Sequence, residues 1–196
     1  MGDATRPLVL GSNSPRRRDL LTASGFAFEV AVPDIDERAL PGEPAEAQAR
    51  RLALAKARVV AARVSREVCV LAADTLVVVD ADVLGKPRDV DEAVEMLLRI
   101  QGRAHRVLTG FALVVRALGV EDHGVVESLV RMHPVDRGAA RAYAQSGEPL
   151  DKAGGYAAQG EGGRFVAEIR GSRTNVIGLP METVVARLAR VGVEPA

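Results

Sequence analysis

Residues 68–79 read Val-Cys-Val-Leu-Ala-Ala-Asp-Thr-Leu-Val-Val-Val, apolar throughout except for Asp74 and Thr75. A run of this kind must be buried. It is far shorter than the roughly 20 residues a membrane helix takes, and its β-branched content favours an extended chain. Val68–Ala73 is therefore predicted as a buried strand ending at Asp74-Thr75. Leu76–Val79 continues as strand, and Asp80-Ala81-Asp82 turns it into a hairpin. An aspartate at that point lies where α/β proteins place ligands, at the carboxyl edge of a strand. Burial of its charge is costly unless a cation or a metal accompanies it. Asp74 can ligate a divalent metal or take a proton from an attacking water; as a turn or capping residue it needs neither.

Other segments alternate around this run. Leu8–Leu10 reads as a short buried strand and Phe26–Val32 as a second. Between them, Ser14 is placed to cap a helix with Pro15 at its first position and Leu20-Leu21 on its apolar face. Residues 33–44 are acidic and Pro-rich and read as loop; Ala45–Val64 has helical spacing. Further helices are predicted at Asp89–Ile100, Asp136–Ser146 and Met181–Val191. Arg106–Leu118 and Val125–Met132 form an antiparallel pair around a turn at Gly119–Gly124, and Phe165–Ile169 is a strand. The glycine-rich segment 147–163 is predicted to lack regular structure and to carry function. Interleaved strands and helices, with hairpins as well as crossovers, indicate an α/β fold with a mixed sheet.

The 196 residues suffice for a single domain spanning 1–196. With 47% hydrophobic residues and no net charge the chain is not disordered. No nucleic-acid partner is expected of a neutral chain with so few aromatics, since such binders usually show a basic excess and stacking rings. No apolar run predicts a membrane span and no export signal is expected. The lone Cys69 in an apolar run fits a reduced, cytoplasmic setting. Basic residues are unevenly chosen: 23 Arg and three Lys, at Lys56, Lys86 and Lys152.

A neutral chain that binds an anion must concentrate positive charge locally. Ser12-Asn13-Ser14-Pro15-Arg16-Arg17-Arg18 places hydroxyls, backbone N–H groups and guanidinium forks at a helix N-terminus. The same residues also describe an ordinary capped helix with solvated arginines. Gly85-Lys86-Pro87 can aim Lys86 inward or leave it solvated. In Glu148–Gly160, charged residues, glycines and Gln159 suggest backbone packed against a ligand, and the Gln159 amide offers both donor and acceptor to a base edge. Asp34, Asp36 and Glu37 can complete a metal site with Asp74, or be solvated. His105, in Gly-x-x-His-x-Val-x-Thr-Gly, reads as a structural residue.

Taken in order, Ser-x-Ser-Pro-Arg-Arg, Ala-Asp-Thr, Leu-Gly-Lys-Pro, Gly-x-x-His-x-Val-x-Thr-Gly, Glu-Pro-x-Asp-Lys-Ala-Gly-x-Tyr-x-x-Gln-Gly and Asn-Val-x-Gly-Leu-Pro resemble the Maf family, nucleoside triphosphate pyrophosphatases also linked to septum formation. They run from Ser12 to Pro180. The resemblance implies an α/β fold with a mixed twisted sheet and two lobes around a cleft, related to inosine triphosphate pyrophosphatases. It implies hydrolysis of a nucleoside triphosphate to the monophosphate and diphosphate with Mg²⁺ or Mn²⁺. By position, Asp74 and Lys86 resemble the catalytic pair; Ser12, Arg16, Arg17 and Lys56 resemble phosphate contacts; Thr75, Gln159 and Arg16 resemble the positions that set substrate choice. Metal binding would fall to Asp74 with Asp36 or Glu37. Lys152 resembles a substrate-binding lysine, with pairing to Asp151 or Glu148 as the alternative. Gln159 and Tyr156 look like the dTTP/UTP branch, since the 7-methyl-GTP branch carries Glu and lacks the Tyr. A nucleotide-binding regulator of cell division is the alternative from another class. A homodimer is expected on family resemblance alone.

Overall fold

The computed structural model describes residues 5–65 and 67–196. In chain order these form β1 (Leu8–Leu10), α1 (Pro15–Ala23), β2 (Phe28–Val30), α2 (Ala45–Ala61), β3 (Cys69–Val79), β4 (Asp82–Leu84) and α3 (Val90–Ile100). There follow β5 (Ala104–Val115), β6 (Val120–Met132), α4 (Arg137–Gln145), β7 (Val166–Arg170), α5 (Arg173–Ile177) and α6 (Met181–Arg190). The strands make a seven-stranded sheet in the order β2-β1-β3-β5-β6-β7, with β4 paired to β3. β1 runs parallel to β2 and β3, whereas β3/β4 and β6/β7 are antiparallel. The fold is thus mixed α/β with flanking helices, as the alternation of patterns predicts.

Four local expectations are corrected. β3 does not end at Asp74 but runs unbroken through it. β2 is shorter than Phe26–Val32, because its partner β1 has only three residues and each pairs once, from Leu8 with Phe28 to Leu10 with Val30. Ser14 makes no side-chain cap; its own N–H instead donates to the Ser12 hydroxyl at 3.2 Å. The β5–β6 connection is a single turn of 3₁₀ helix, Arg116–Leu118, and β6 starts at Val120. Gly124 belongs to the strand, where the Phe111 ring lies over it: a Cβ there would stand 2.9 Å from Phe111 Cζ.

By contact the chain divides into two compact units. The first comprises the described part of Met1–Asp74 with Thr109–Val126 and Gly178–Ala196. Here the period-2 alternation of the strands separates two cores. Leu8, Leu10, Cys69, Leu71, Ala73, Phe111, Leu113 and Val115 face one way and pack with Leu21 of α1 and Val184 and Leu188 of α6. Val9, Val70, Ala72, Ala112 and Val114 face the other way and pack with Ala53, Ala57 and Val60 of α2. Helix α2 turns a stripe to the sheet at helical spacing: Ala49, Leu52, Ala53, Lys56, Ala57, Val60 and Ala61 are all buried. Its backbone approaches β5 so closely that a Cβ on Gly110 would lie 2.1 Å from the Ala49 carbonyl oxygen.

The second unit comprises Thr75–Leu108 and Glu127–Ile177. Val77, Val79, Val107, Val130 and Met132 supply the strand side of its core, and Val94, Leu97, Ile100, Ala140 and Tyr143 the side of α3 and α4. Both helices start at an aspartate that accepts from the backbone N–H three residues on, Asp89 from Glu92 and Asp136 from Ala139. Among the described residues no helix is long and apolar enough to cross a membrane.

The approach at Gly110 gives a direct test of the α2–β5 packing. Backbone, unlike a side chain, cannot swing aside, so Gly110→Ala should lower the unfolding free energy by about 3 kcal/mol, the upper end for overpacking. Denaturant unfolding with an unchanged midpoint would show that the helix does not rest on that strand.

Candidate active site

Asp74 shares its strand face with Val70 and Ala72, the face that α2 covers. On α2, Lys56 lies in the buried stripe between Ala53 and Ala57. The two periodicities bring the side chains together: Lys56 Nζ donates to Asp74 Oδ1 at 2.6 Å. Both are nearly withdrawn from water, with side-chain exposures of 8% and 10%. Glu37, from the acidic segment before α2, brings Oε1 to 3.0 Å from the same ammonium. Two carboxylates thus converge on one cation, and this is why a charged residue can interrupt an apolar strand without ending it.

Arg17 adds a second positive charge. Its Nε donates to the Gly178 carbonyl at 2.9 Å and one terminal nitrogen donates to the Ser12 hydroxyl at 3.1 Å. Ser12 is buried, so the guanidinium is held at two points. Burial lowers the Arg17 pKa, the Asp74 charge counters that shift, and neighbouring Arg16 adds to it. Arg16, Arg17 and Arg18 occupy the first turn of α1, which holds no acidic residue. Cations there oppose the helix dipole, an arrangement suited to receiving an anion. The structure therefore brings together Ser12, Arg17, Glu37, Lys56 and Asp74, with Arg16 beside them on α1.

Asp36 does not join the carboxylate pair. It forms a local ion pair with Arg38, accepting from Nε at 2.9 Å, and that hydrogen bond holds its carboxyl below the usual range. Among the described residues no group of three or more His, Cys, Asp and Glu side chains is disposed to hold a metal. The donor chemistry nevertheless fits Mg²⁺ or Mn²⁺, which take hard oxygen ligands. Asp74 and Glu37 supply such oxygens, and both carboxylates engage the Lys56 ammonium.

The remaining predicted residues belong to the second unit. Thr75 alternates to the opposite side of β3 from Asp74 and is half-buried. Lys86 is exposed, and the preceding Gly85 carbonyl accepts from Gly154 N–H at 3.0 Å. Lys152 closes its own loop: Nζ donates to the Glu148 carbonyl and to Asp151 Oδ1, both at 2.5 Å. This is the pairing alternative, and it directs the ammonium into the loop. Gln159 is exposed, following Tyr156, Ala157 and Ala158, which are buried. Residues 147–163 are not without structure, since short 3₁₀ turns occupy Glu148–Asp151, Ala153–Gly155 and Gly160–Phe165.

The family model described as Maf-like protein matches residues 7–191. The chain belongs to the Maf family. A dTTP/UTP pyrophosphatase of Myxococcus xanthus (strain DK1622) is 51% identical over 185 residues, covering 94% of this chain and 92% of the relative. One of Anaeromyxobacter dehalogenans (strain 2CP-C) is 49% identical, with 94% of each chain covered. One of Vibrio cholerae serotype O1 (strain ATCC 39315 / El Tor Inaba N16961) is 45% identical over 89% of this chain and 92% of its own.

Two features of this Maf chain escape a reading of motifs. The Lys56–Asp74 pair is one; its signal is a lysine in an otherwise apolar helical stripe. The other is His105, buried at 2% exposure, whose Nε2 shares a 2.7 Å hydrogen bond with the Tyr156 hydroxyl. The rings meet edge to face, so β5 anchors the loop that bears Gln159. Burial pushes the His105 imidazole from its ordinary 6.5 down to about 4. Between those values the unfolded chain holds the extra proton, so stability rises with pH. The contribution is fully present above pH 6.5 and is lost as pH falls through 4, amounting to about 3 kcal/mol. His105→Gln should therefore flatten the loss of stability between pH 7 and pH 4; equal pH dependence of wild type and variant would place the proton elsewhere.

Proposed function

We propose that this Maf protein hydrolyses nucleoside triphosphates, dTTP and UTP foremost, to the monophosphate and diphosphate, as a house-cleaning enzyme that removes unwanted or modified pyrimidine nucleotides. One observation carries the reading: a buried carboxylate, Asp74, paired with Lys56 and facing the charge of Arg17, in a chain half identical to proteins named for that reaction. The substrate is a polyanion, and the chain, neutral overall, sets Arg16, Arg17 and Lys56 around its own anchored carboxylate.

In this reading the triphosphate meets Arg16 and Arg17 at the start of α1, where planar forks match phosphate oxygens. The Ser12 and Gly178 contacts fix the Arg17 fork in advance, so little side-chain entropy is lost on binding. Lys56 occupies Asp74 Oδ1; Oδ2 is the oxygen assigned to take the proton of a water attacking the α-phosphorus. Asp74 and Glu37 would hold Mg²⁺ or Mn²⁺. Such an ion, when bound, would supply charge neutralisation and lower the pKa of a water. Lys86, with Lys56 and the arginines, stabilises charge developing on the leaving diphosphate. Thr75 and Gln159 read the substrate, the Gln159 amide facing the pyrimidine edge. The buried, unreactive Cys69, its thiol pushed up to about 12 by burial, suits a cytoplasmic setting. A homodimer is the assembly expected of the family.

The purified protein with Mg²⁺ or Mn²⁺ should release diphosphate, not orthophosphate, from dTTP and UTP. Asp74→Asn should lower kcat by about a hundred-fold or more, the scale of general-base loss, while remaining folded. Gln159→Glu should shift kcat/KM away from UTP towards purine triphosphates. Tight triphosphate binding without turnover would favour a regulatory role, and near-normal turnover in Asp74→Asn would remove Asp74 from the chemistry.

A further inference from the structure

Gln159 is exposed, yet a side chain that discriminates one base from another must be presented at a fixed place. The chain has two tyrosines, Tyr143 and Tyr156, and both are tied to the loop that carries Gln159. Tyr156 is held by His105, as described above. Tyr143 lies on α4, fully buried, with its ring edge to face against Phe165 at 5.3 Å. Its hydroxyl accepts from the Ala157 backbone N–H at 3.1 Å.

Glu148 completes a strap across the loop. Its Oε2 accepts from Gly162 N–H at 2.9 Å and its Oε1 from Glu161 N–H at 3.3 Å. Gln159 thus lies between Ala157, held by Tyr143, and Glu161 and Gly162, held by Glu148. The strap is tight. A Cβ on Gly160 would stand 2.1 Å from Glu148 Oε1, and one on Gly162 would stand 2.4 Å from the Tyr143 hydroxyl. Gly160 also adopts φ +70°, a conformation that favours glycine. Neither Tyr143 nor Glu148 is needed to contact a nucleotide for this arrangement to matter.

We propose that Tyr143 and Glu148 are positioning residues that set base selectivity by fixing Gln159 from both sides; the proposal rests on the reading that Gln159 faces the substrate base. A strap of this kind acts on the position of one amide and leaves the phosphate-binding groups untouched. Its loss raises KM for pyrimidine nucleotides more than it lowers kcat, and it narrows the gap between pyrimidine and purine substrates.

The test measures kcat and KM for UTP and GTP in wild type, Tyr143→Phe, Glu148→Gln and Gln159→Glu, with thermal unfolding and backbone amide exchange across residues 157–162. Tyr143→Phe keeps the buried ring and removes only the hydroxyl. Glu148→Gln, at a half-buried position, covers the case in which the first variant does not fold. Each positioning variant should reduce the UTP-to-GTP ratio of kcat/KM by about five-fold, the scale of one hydrogen bond. The change should lie mainly in KM, and exchange at Ala157, Glu161 and Gly162 should quicken. The double variant should lose less than the product of the single losses, because both act through one strap. If Gln159→Glu shifts the ratio but Tyr143→Phe and Glu148→Gln lower both substrates equally, the two residues are merely structural and the proposal is overturned. If Gln159→Glu leaves the ratio unchanged, the base-reading role fails and the proposal falls with it. Absence of any diphosphate release overturns the proposed activity itself.

Discussion

A carboxylate in the middle of an apolar strand is the constraint around which this molecule is arranged. Buried without a partner, Asp74 would cost several kcal/mol. Lys56 meets it at 2.6 Å and Arg17 adds a second positive charge, while Glu37 shares the Lys56 ammonium. That requirement fixes the rotation of α2, which must turn Lys56 towards the sheet while its alanines fill the rest of the stripe. It also accounts for the absent Cβ at Gly110: a helix that brings a lysine stem down to a strand needs its backbone close, and only glycine leaves room. A hydrophobic pair at the same positions would pack at least as well. The charged pair therefore adds no stability that an apolar one would lack.

The choice of cation follows the same logic. Exposed ion pairs such as Arg58–Glu121, Arg137–Glu95 and Arg141–Asp91 all use arginine, and pairs in solvent contribute little. Lys56 and Lys152 are instead largely withdrawn from water, with side-chain exposures of 8% and 13%. A compact ammonium with three rotatable donors can lie between Asp74 and Glu37, or between a carbonyl and Asp151, where a planar fork is too wide. Lys86 is exposed and has no such packing reason.

Much of the fold was legible from two signals. Continuous apolar runs marked β1 and β3, and helical patterns marked α2, α3, α4 and α6. The misreadings share a cause. Asp74 looked like a strand end because a charge in an apolar run is normally a boundary, and its compensating lysine lies elsewhere in the chain. α5 is a single turn whose start is set by Asn175 N–H donating to the Ser172 hydroxyl, too short to show a period. At the candidate site, motifs marked Ser12, Arg17, Lys56 and Asp74, which the structure joins. They offered the closing of its own loop by Lys152 as an alternative, but did not show that Asp36 turns to Arg38 or that Tyr143, Glu148 and His105 fix the segment around Gln159. Those outcomes depend on which partner lies nearest in three dimensions, and spacing along the chain does not contain that.

The central claim, that Lys56 holds the buried Asp74 carboxylate in place, is tested most directly by a double-mutant cycle on unfolding free energy. Wild type, Lys56→Met, Asp74→Asn and the double variant would be compared by denaturant unfolding at pH 7. Removing the lysine alone should cost about 3 kcal/mol, and the double variant should recover much of it, giving a coupling of about 2 kcal/mol. Strictly additive losses, with no coupling, would contradict the account.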